Sequence, residues 1–206
     1  MTVRYISDTH WGHKNVIAYD NRPFSSVEEM DNVMVWMWNA TVKADDFVYI
    51  LGDVCWSQTY EDWESLFNRL KGQKFVIKGN HDRSEILKKM VKQKLIIGWS
   101  HQEIINDNNT KVVLNHSPMP FFINERHDDW VHLYGHVHDS FDWNMTLNVQ
   151  RQLCDLYGQN IRMYNVGCMM PYIQYVPRTL EEIETGFAKV DFLKLDFKKK
   201  LGLEEH

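Results

Sequence analysis

The sequence predicts an α/β fold, in which short buried strands alternate with helices and form a largely parallel sheet. Two patterns carry this prediction. Runs of β-branched and aromatic residues, typical of buried strands, recur along the chain, and amphipathic helical patterns separate the first three of them. The 206 residues, 44% hydrophobic and 25% charged, fit one globular domain over residues 1–206, with about 190–206 as a C-terminal extension.

Strands are predicted where such runs end in Asp, Asn or His, or in a glycine that one of these follows. The five runs of this kind span residues 3–6, 47–51, 75–78, 111–115 and 131–134. The second half of the chain is richer in strand candidates than the first. Further strands are expected near residues 99–105, 145–150, 161–166 and 172–176.

Helices are predicted between the first three strands and again near the end. Ser25 or Ser26 caps a helix through about Thr41, and its apolar residues recur at helical spacing. A second helix spans about 59–70, stopped by Gly72, and a third spans about 84–92. Thr179-Leu180-Glu181-Glu182 fits a capping box that opens a last helix. The segment after it, 190–206, fits a strand with a charged end.

Composition and charge exclude several classes of function. A net charge of −5 does not indicate a general nucleic-acid or anionic-membrane binder. Three widely spaced cysteines, Cys55, Cys154 and Cys168, argue against a disulfide framework. The N-terminus has no apolar signal region, and no apolar run reaches the roughly 20 residues of a membrane span. We therefore expect a cytoplasmic protein with no membrane partner.

Polar side chains follow five strand ends, where open α/β sheets carry their sites. His136 and His138 alone fit either a metal site or an exposed polar loop. The full set mixes oxygen and nitrogen ligands without thiolate, which suits Mn, Fe, Zn or Ni better than Ca²⁺ or an iron–sulfur cluster. It also exceeds what one ion needs. The set comprises Asp8, His10, Asp53, Asn80, His81, His116, His136 and His138.

The same residues fall into five blocks: Asp8-x-His10, Gly52-Asp53, Gly79-Asn80-His81-Asp82, Asn115-His116 and Gly135-His136-x-His138. In content and order these blocks resemble the complete signature of the calcineurin-like metallophosphoesterases. The resemblance implies a two-layer β sandwich flanked by helices, with a centre of two divalent or transition metal ions. It implies further that Asp8, His10 and His138 bind one ion, that Asn80, His116 and His136 bind the other, and that Asp53 bridges them. His81 would then be a general acid rather than a ligand.

The activity that the resemblance implies is hydrolysis of a small phosphorylated substrate, a phosphodiester or a phosphomonoester. A hydroxide bridging the two ions would attack the phosphorus, because two dications lower the pKa of a shared water toward 7. Two alternatives stay open. One is a nuclease or RNA-end-processing enzyme, and the other is a non-catalytic binding module on the same fold. Loss of ligands would mark the binding module, and the sequence keeps them all.

Residues beyond the signature add candidate substrate contacts. The stretches DTHWGHKNVI and Asn21-Arg22-Pro23-Phe24 resemble a subgroup of bacterial and phage-borne predicted phosphoesterases. His13 is a candidate for contact with phosphate or with a metal ligand. Arg22 would either clamp phosphate with two hydrogen bonds or fix its loop through carbonyl contacts, and Arg83 has the same two alternatives. Asp82 would either support the site from behind or cap the helix near Ser84.

Overall fold

The structure, a computed structural model, describes residues 1–190, and its first half forms a four-stranded parallel sheet. The strands lie in chain order: β1 (Val3–Ile6), β2 (Phe47–Ile50), β3 (Gln73–Ile77) and β4 (Gly98–Ser100). Every neighbouring pair is parallel. The parallel sheet that the strand–helix alternation predicts is confirmed.

A second four-stranded sheet follows in the chain. It comprises β5 (Gln102–Asp107), β6 (Thr110–Asn115), β7 (Trp130–Tyr134) and β8 (Met163–Asn165), again in chain order. β5 and β6 are antiparallel, whereas β6, β7 and β8 run parallel to one another. The strands near 111–115, 131–134 and 161–166 are therefore confirmed.

The strand predicted near 99–105 is two strands in different sheets. β4 pairs with β3 in the first sheet, and β5 pairs with β6 in the second. His101 lies between them. An apolar run reveals burial but not the sheet in which its residues pair. The sequence therefore did not predict that the chain passes from the first sheet to the second here.

Three of the predicted helices connect the strands of the first sheet. They are α2 (Val27–Thr41), α3 (Tyr60–Arg69) and α4 (Ser84–Lys92), and a short helix that the sequence did not predict, α1 (Val16–Tyr19), precedes them. The side chain of Ser26 accepts a hydrogen bond from the backbone N–H of Glu29, and Thr59 caps α3 through the N–H of Asp62. These caps satisfy backbone donors that would otherwise lack a partner.

The strand predicted over 145–150 is wrong, because those residues belong to helix α5 (Phe141–Tyr157). Met145, Leu147 and Val149 alternate like a strand, but the chain buries Trp143, Leu147, Gln150 and Leu153 at helical spacing. The predicted strand near 172–176 is also wrong. The chain turns there, with Gln174 and Tyr175 at φ 55° and 61°, in the left-handed region.

The last described helix, α6 (Leu180–Phe187), confirms the predicted capping box. Thr179 accepts from the backbone N–H of Glu182, and the Glu182 carboxylate accepts from the backbone N–H of Thr179. Most of the predicted C-terminal extension, from residue 191 onward, lies outside the described residues.

Both sheets contribute to one continuous cluster of buried side chains, so the predicted two-layer β sandwich flanked by helices is confirmed. Four tryptophans, Trp11, Trp38, Trp63 and Trp143, are among its largest fully buried members. Within residues 1–190 no helix is both long and apolar enough to cross a membrane.

Candidate metal centre

The carboxyl ends of strands from both sheets bring the predicted ligands into two groups. Asp8, His10 and His138 form the first group, in which one ligand atom from each residue lies within 4.8 Å of the others. Asp53, His116 and His136 form the second group under the same limit. Each group combines loops from both sheets. The aspartates lie in the loops after β1 and β2, and histidines lie in the loops after β6 and β7.

Asp53 lies between the two groups. Its Oδ2 atom is 3.8 Å from Nε2 of His10 in the first group and 3.5 Å from Nε2 of His116 in its own group. The Asn80 carboxamide completes the second group, with Oδ1 at 3.0 Å from His116 Nε2 and 2.9 Å from His136 Nδ1. A carboxylate placed in this way can offer oxygen atoms to two neighbouring cations.

Five of the seven candidate ligands have left-handed backbone conformations. This geometry costs about 1–3 kcal/mol for a non-glycine residue, and Asp, Asn and His tolerate it best. Such strain concentrates at functional sites, where the surrounding structure enforces it. The residues are Asp8, His10, Asp53, His136 and His138, with φ between 49° and 71°.

Glycines in the signature blocks allow the strand ends to approach one another. A Cβ atom at Gly79 would collide with the Asp53 carboxylate, and one at Gly135 would collide with Ser7 Oγ and the Asp8 carboxylate. Only a residue without a side chain fits at these two positions. The glycines of GNHD and GHVH are thus required by the contact between loops.

A carboxylate and a guanidinium support the first group through hydrogen bonds to His138 and to the backbone of the Asp8 loop. The Asp20 carboxylate accepts a hydrogen bond of 2.7 Å from Nδ1 of His138, which leaves Nε2 free to face the site. Arg22 donates to the same carboxylate and, at 2.8 Å each, to the backbone carbonyls of Asp8 and Thr9. Asp20 was not among the predicted site residues.

The Arg22 side chain is fully buried. Because its guanidinium binds protein carbonyls and a carboxylate, the structure favours the loop-fixing alternative over the phosphate clamp for this residue.

The second group is fixed by backbone contacts. Nδ1 of His116 donates to the carbonyl oxygen of Leu51 at 2.6 Å, so its Nε2 atom points toward Asn80 and Asp53. The buried carboxylate of Asp82 accepts from the backbone N–H groups of Asp53, Val54 and Gly79 at 2.8–3.0 Å. Asp82 therefore supports the loop of Asp53. It does not cap α4, whose N-cap, Arg83, makes no capping side-chain bond.

The closing segment of the fold ties the first strand to the last. The carboxamide of Asn165 donates to the backbone carbonyl of His138 at 2.9 Å. The backbone of Ser7 bonds Val166 and Cys168 on the neighbouring segment. These contacts fix the loops that carry Asp8 and His138.

Burial and charge move the pKa values of the ligands in opposite directions. Burial lowers the pKa of His10 to about 3, although the nearby charge of Asp53 opposes this shift. Burial also disfavours protonation of His116, but the contact with Asp53 and the charges of Asp8 and Asp53 outweigh it and raise the pKa to about 9. Burial raises the pKa of Asp53, yet His116, the backbone N–H of His81 and His10 together hold it well below its usual value.

The residues present fit a pair of transition metal ions. Nε2 of His10 is buried and has no hydrogen-bond partner among the described residues, although it faces Asp53. A buried polar atom of this kind needs a partner, and a metal ion would supply one. The donor set of imidazoles, carboxylates and one carboxamide matches divalent transition metals. The cysteines stay outside both groups.

His81 lies beside Asp53. Its backbone N–H donates to Asp53 Oδ1 at 3.0 Å, and its side chain is 43% exposed, with Nε2 at 3.9 Å from Asp53 Oδ2. The ring is thus half-exposed at the edge of the two ligand groups.

Of the two other candidate substrate contacts, His13 is close to the site and Arg83 is exposed at the start of α4. The His13 ring lies 5.5 Å from the His10 ring and stacks in parallel on Trp56 at 3.8 Å between ring centroids.

Fold and site together define a metallophosphoesterase-type centre, and comparison with known families agrees. Residues 1–140 match the family model described as calcineurin-like phosphoesterase. The chain belongs to this family. The resemblance based on the five signature blocks is therefore confirmed.

Two individual proteins are also similar in sequence to this chain. The chain is 36% identical over 135 residues to an uncharacterized protein of Methanocaldococcus jannaschii, covering 65% of this chain and 67% of that protein. It is 27% identical over 158 residues to the Gene 66 protein of Mycobacterium phage L5, covering 65% of this chain and 76% of the phage protein.

A solved structure has a similar fold. A protein of unknown function from Aquifex aeolicus superposes with a TM-score of 0.62 at 23% identity, covering 89% of this chain and 97% of that one. This likeness concerns the fold alone.

Proposed function

We propose that the protein is an enzyme that hydrolyses phosphodiesters or phosphomonoesters with the help of two metal ions. One observation carries the proposal: two ligand groups, each of three Asp and His residues, meet at a single aspartate, Asp53. A single carboxylate between two ligand groups would suit two ions that act together on one phosphoester.

In this proposal Asp8, His10 and His138 hold one ion, while Asn80, His116 and His136 hold the other. When bound, the ions supply a hydroxide nucleophile at neutral pH and neutralise charge on the phosphoryl group. The metals belong to the Mn, Fe, Zn and Ni group that these donors prefer.

The protein's own residues perform the remaining steps. Asp53 anchors both ligand groups and, through Oδ1, orients the His81 backbone. His81 holds a proton at its exposed ring and delivers it to the leaving oxygen as the P–O bond breaks. General acids in such positions contribute about 10²–10⁴-fold to the rate. Asp20 and Asp82 keep His138 and the Asp53 loop in place from behind.

The test is an assay of metal-loaded protein with bis-nitrophenyl and mono-nitrophenyl phosphate. We expect hydrolysis that Mn²⁺ supports and chelator abolishes, and the ratio of the two rates identifies the preferred ester. The matched variant is Asp53→Asn, which keeps the shape of the side chain but loses its charge. It should lower turnover by more than about 100-fold, since several kcal/mol of charge stabilisation depend on the bridge.

Near-normal turnover of a metal-replete Asp53→Asn variant would contradict the dinuclear assignment. Metal binding without turnover of either ester, or of any aliphatic phosphoester, would support the binding-module alternative instead. Salt-dependent binding of oligonucleotides would support the nuclease alternative, because phosphate contacts release counterions.

A further inference from the structure

An aromatic wall borders the metal centre on the side of His81. Trp56, directly after the loop of Asp53, is 41% exposed although it packs against two histidines of the site. His13 stacks on it in parallel at 3.8 Å, with only 4° between the ring planes. The ring of His81 lies 5.2 Å from Trp56, and Tyr19, 73% exposed, meets the edge of His13.

His13 fixes the orientation of the indole. The histidine is largely buried, its backbone N–H bonds the carbonyl of His10, and its Nδ1 atom has no hydrogen-bond partner among the described residues. The parallel stack is the contact through which the His13 ring touches Trp56. It holds the tryptophan as a rigid surface beside the proposed general acid.

A cleft of about 350 Å³ lies beside Trp56, and none of the candidate metal ligands lines it. Its polar lining includes Gly12, Asp31, Ser57, Asp62, Ser65 and Arg69. The half-buried carboxylate of Asp31 accepts from the backbone N–H of Gly12 at 3.0–3.1 Å and retains acceptor capacity. Two carboxylates against one guanidinium disfavour a second phosphate here and favour a neutral group with hydrogen-bond donors.

We propose that the alcohol released from the phosphoester is a nucleoside, whose base stacks on Trp56 and turns its hydrogen-bond donors toward the carboxylates of the cleft. The proposal rests on the proposed function, because it names the leaving group for that same site. Trp56 lies beside His81, which donates its proton to the leaving oxygen, so a ring on the leaving side comes within reach of the indole. Base–aromatic stacking contributes about 1–3 kcal/mol per base, or roughly 5- to 150-fold in affinity.

The test compares two ligands that differ only in the base. These are the 5′-methylenephosphonates of adenosine and of methyl riboside. In both, a P–CH2 bond replaces the P–O bond to the alcohol oxygen, so the protein cannot hydrolyse them there. Calorimetric titration into protein loaded with Mn²⁺ gives both dissociation constants. We expect the adenosine compound to bind about tenfold more tightly than the riboside.

Substitutions in and outside the aromatic wall test whether the base stacks on Trp56. Trp56→Ala should reduce the preference to less than about twofold, Trp56→Phe should keep most of it, and His13→Ala should reduce it partly. Trp36→Ala is the matched control, because Trp36 is 70% exposed on α2 and is not among the residues of the site. It should leave the preference unchanged. Circular dichroism shows that each variant is folded, and the Phe variant tests the proposal should the Ala variant not fold.

The outcomes separate the two proposals. Equal affinity for both ligands in the wild type, or a preference that survives Trp56→Ala, overturns the stacking proposal and leaves the phosphate site intact. If neither phosphonate binds the metal-loaded protein, the proposed phosphoesterase site fails, and the nucleoside proposal fails with it.

Discussion

Asp53 is the residue on which the two ligand groups depend. Its carboxylate lies within 4 Å of histidines from both groups and of His81. Asp82 fixes its backbone from behind, and Gly79 leaves room for its side chain. The position of Asp53 is therefore built by the loops after β2 and β3, and the histidines beside it come from the loops after β1, β3 and β6, rather than from one motif.

In the proposed function His81 is the general acid, so the effect of its loss on the rate should depend on the leaving group. His81→Ala should slow alkyl phosphoesters by about 10²–10⁴-fold, since an alkoxide needs a proton as it leaves. Nitrophenyl esters, whose leaving group needs little protonation, should lose less than about tenfold. The measurement is kcat/KM for both ester types in the variant and the wild type.

The control for this prediction is His127→Ala, which removes an exposed histidine from a loop outside the site. It should leave both ester types unchanged. Equal losses on alkyl and nitrophenyl esters in His81→Ala would mean that His81 is a ligand or a phosphate contact instead.

Asp20 should control metal affinity at the first group. Its carboxylate orients His138 through the 2.7 Å contact with Nδ1, and partners of metal-bound histidines typically contribute about 10–100-fold in affinity. Asp20→Ala should lose that factor for one ion only. Asp20→Asn should lose less, because the amide oxygen can still accept from Nδ1.

Metal titration with a competing chelator measures both affinities. Asp155→Ala, at an exposed position near the far end of α5, is the matched control and should bind both ions normally. Unchanged affinity for both ions in Asp20→Ala would show that His138 is held without the carboxylate.

At the residue scale the sequence predicted the candidate ligands and, as alternatives, the supporting roles of Arg22 and Asp82, but it did not predict Asp20. Asp, Asn and His at strand ends are recognisable because their residue types are the donors that metals use. Asp20 contacts His138 across 118 positions of chain, and Trp56 becomes part of the site through stacking on His13. The neighbouring Arg22 was a signal for the first contact, since a buried guanidinium needs an acid. The position of Trp56 three residues after Asp53 was the signal for the second, although it did not reveal the stacking.

At the element scale, one buried histidine joins β7 to β6. Nδ1 of His132 donates to the carbonyl of Val113 at 3.0 Å, and its Nε2 accepts from the backbone N–H of Met119 at 3.1 Å. Burial lowers its pKa to about 4 from an ordinary value near 6.5. The folded sheet therefore holds the His132 imidazole in its neutral form at neutral pH.

Stability should follow the titration of His132. Between about pH 4 and 6.5 the unfolded chain binds this proton and the folded chain does not, so the free energy of unfolding falls as the pH drops through that range. The full effect amounts to about 3 kcal/mol. Urea unfolding of the wild type and of His132→Asn, both in chelator, measures it across the range.

His132→Asn should be less stable near neutral pH but should lose less stability on acidification than the wild type. His132→Gln serves the same purpose if the Asn variant does not fold. Parallel pH profiles for the wild type and the variant would show that His132 is not a source of the acid sensitivity.

Whether a helix was predictable depended on how clearly its apolar residues recur at helical spacing in the sequence. α2 and α3 were predictable because apolar residues and caps agree, and α4 was predictable because its apolar residues recur at helical spacing. α5 was not, because Asn144 and Gln150 occupy buried positions on its inner face and dilute the helical pattern. Gln150 is held there by a bond from its amide to the carbonyl of Ile161, a contact that no local sequence pattern reveals.

At the scale of the whole molecule, the centre forms where the two sheets meet. Asp8 and Asp53 follow strands of the first sheet, and His116 and His138 follow strands of the second. The resemblance to the family was needed to predict this meeting, since strand periodicity does not say how two sheets pack. Ions bound between the sheets should therefore stabilise the entire fold.

Metal loading should raise the free energy of unfolding and the melting temperature. A ligand that binds only the folded state at 100 times its dissociation constant contributes about 2.7 kcal/mol. Thermal unfolding with excess Mn²⁺ and with chelator measures the difference. Identical melting temperatures under the two conditions would contradict metal binding between the sheets.

The central claim, two ions held by two ligand groups, is tested most directly by counting metals per chain. Elemental analysis of protein prepared in metal-rich medium should give about two transition metals for the wild type. It should give about one each for His138→Ala, which weakens the first group, and for His136→Ala, which weakens the second. A wild type that cannot be reconstituted beyond one ion, or variants that retain both, would contradict the account.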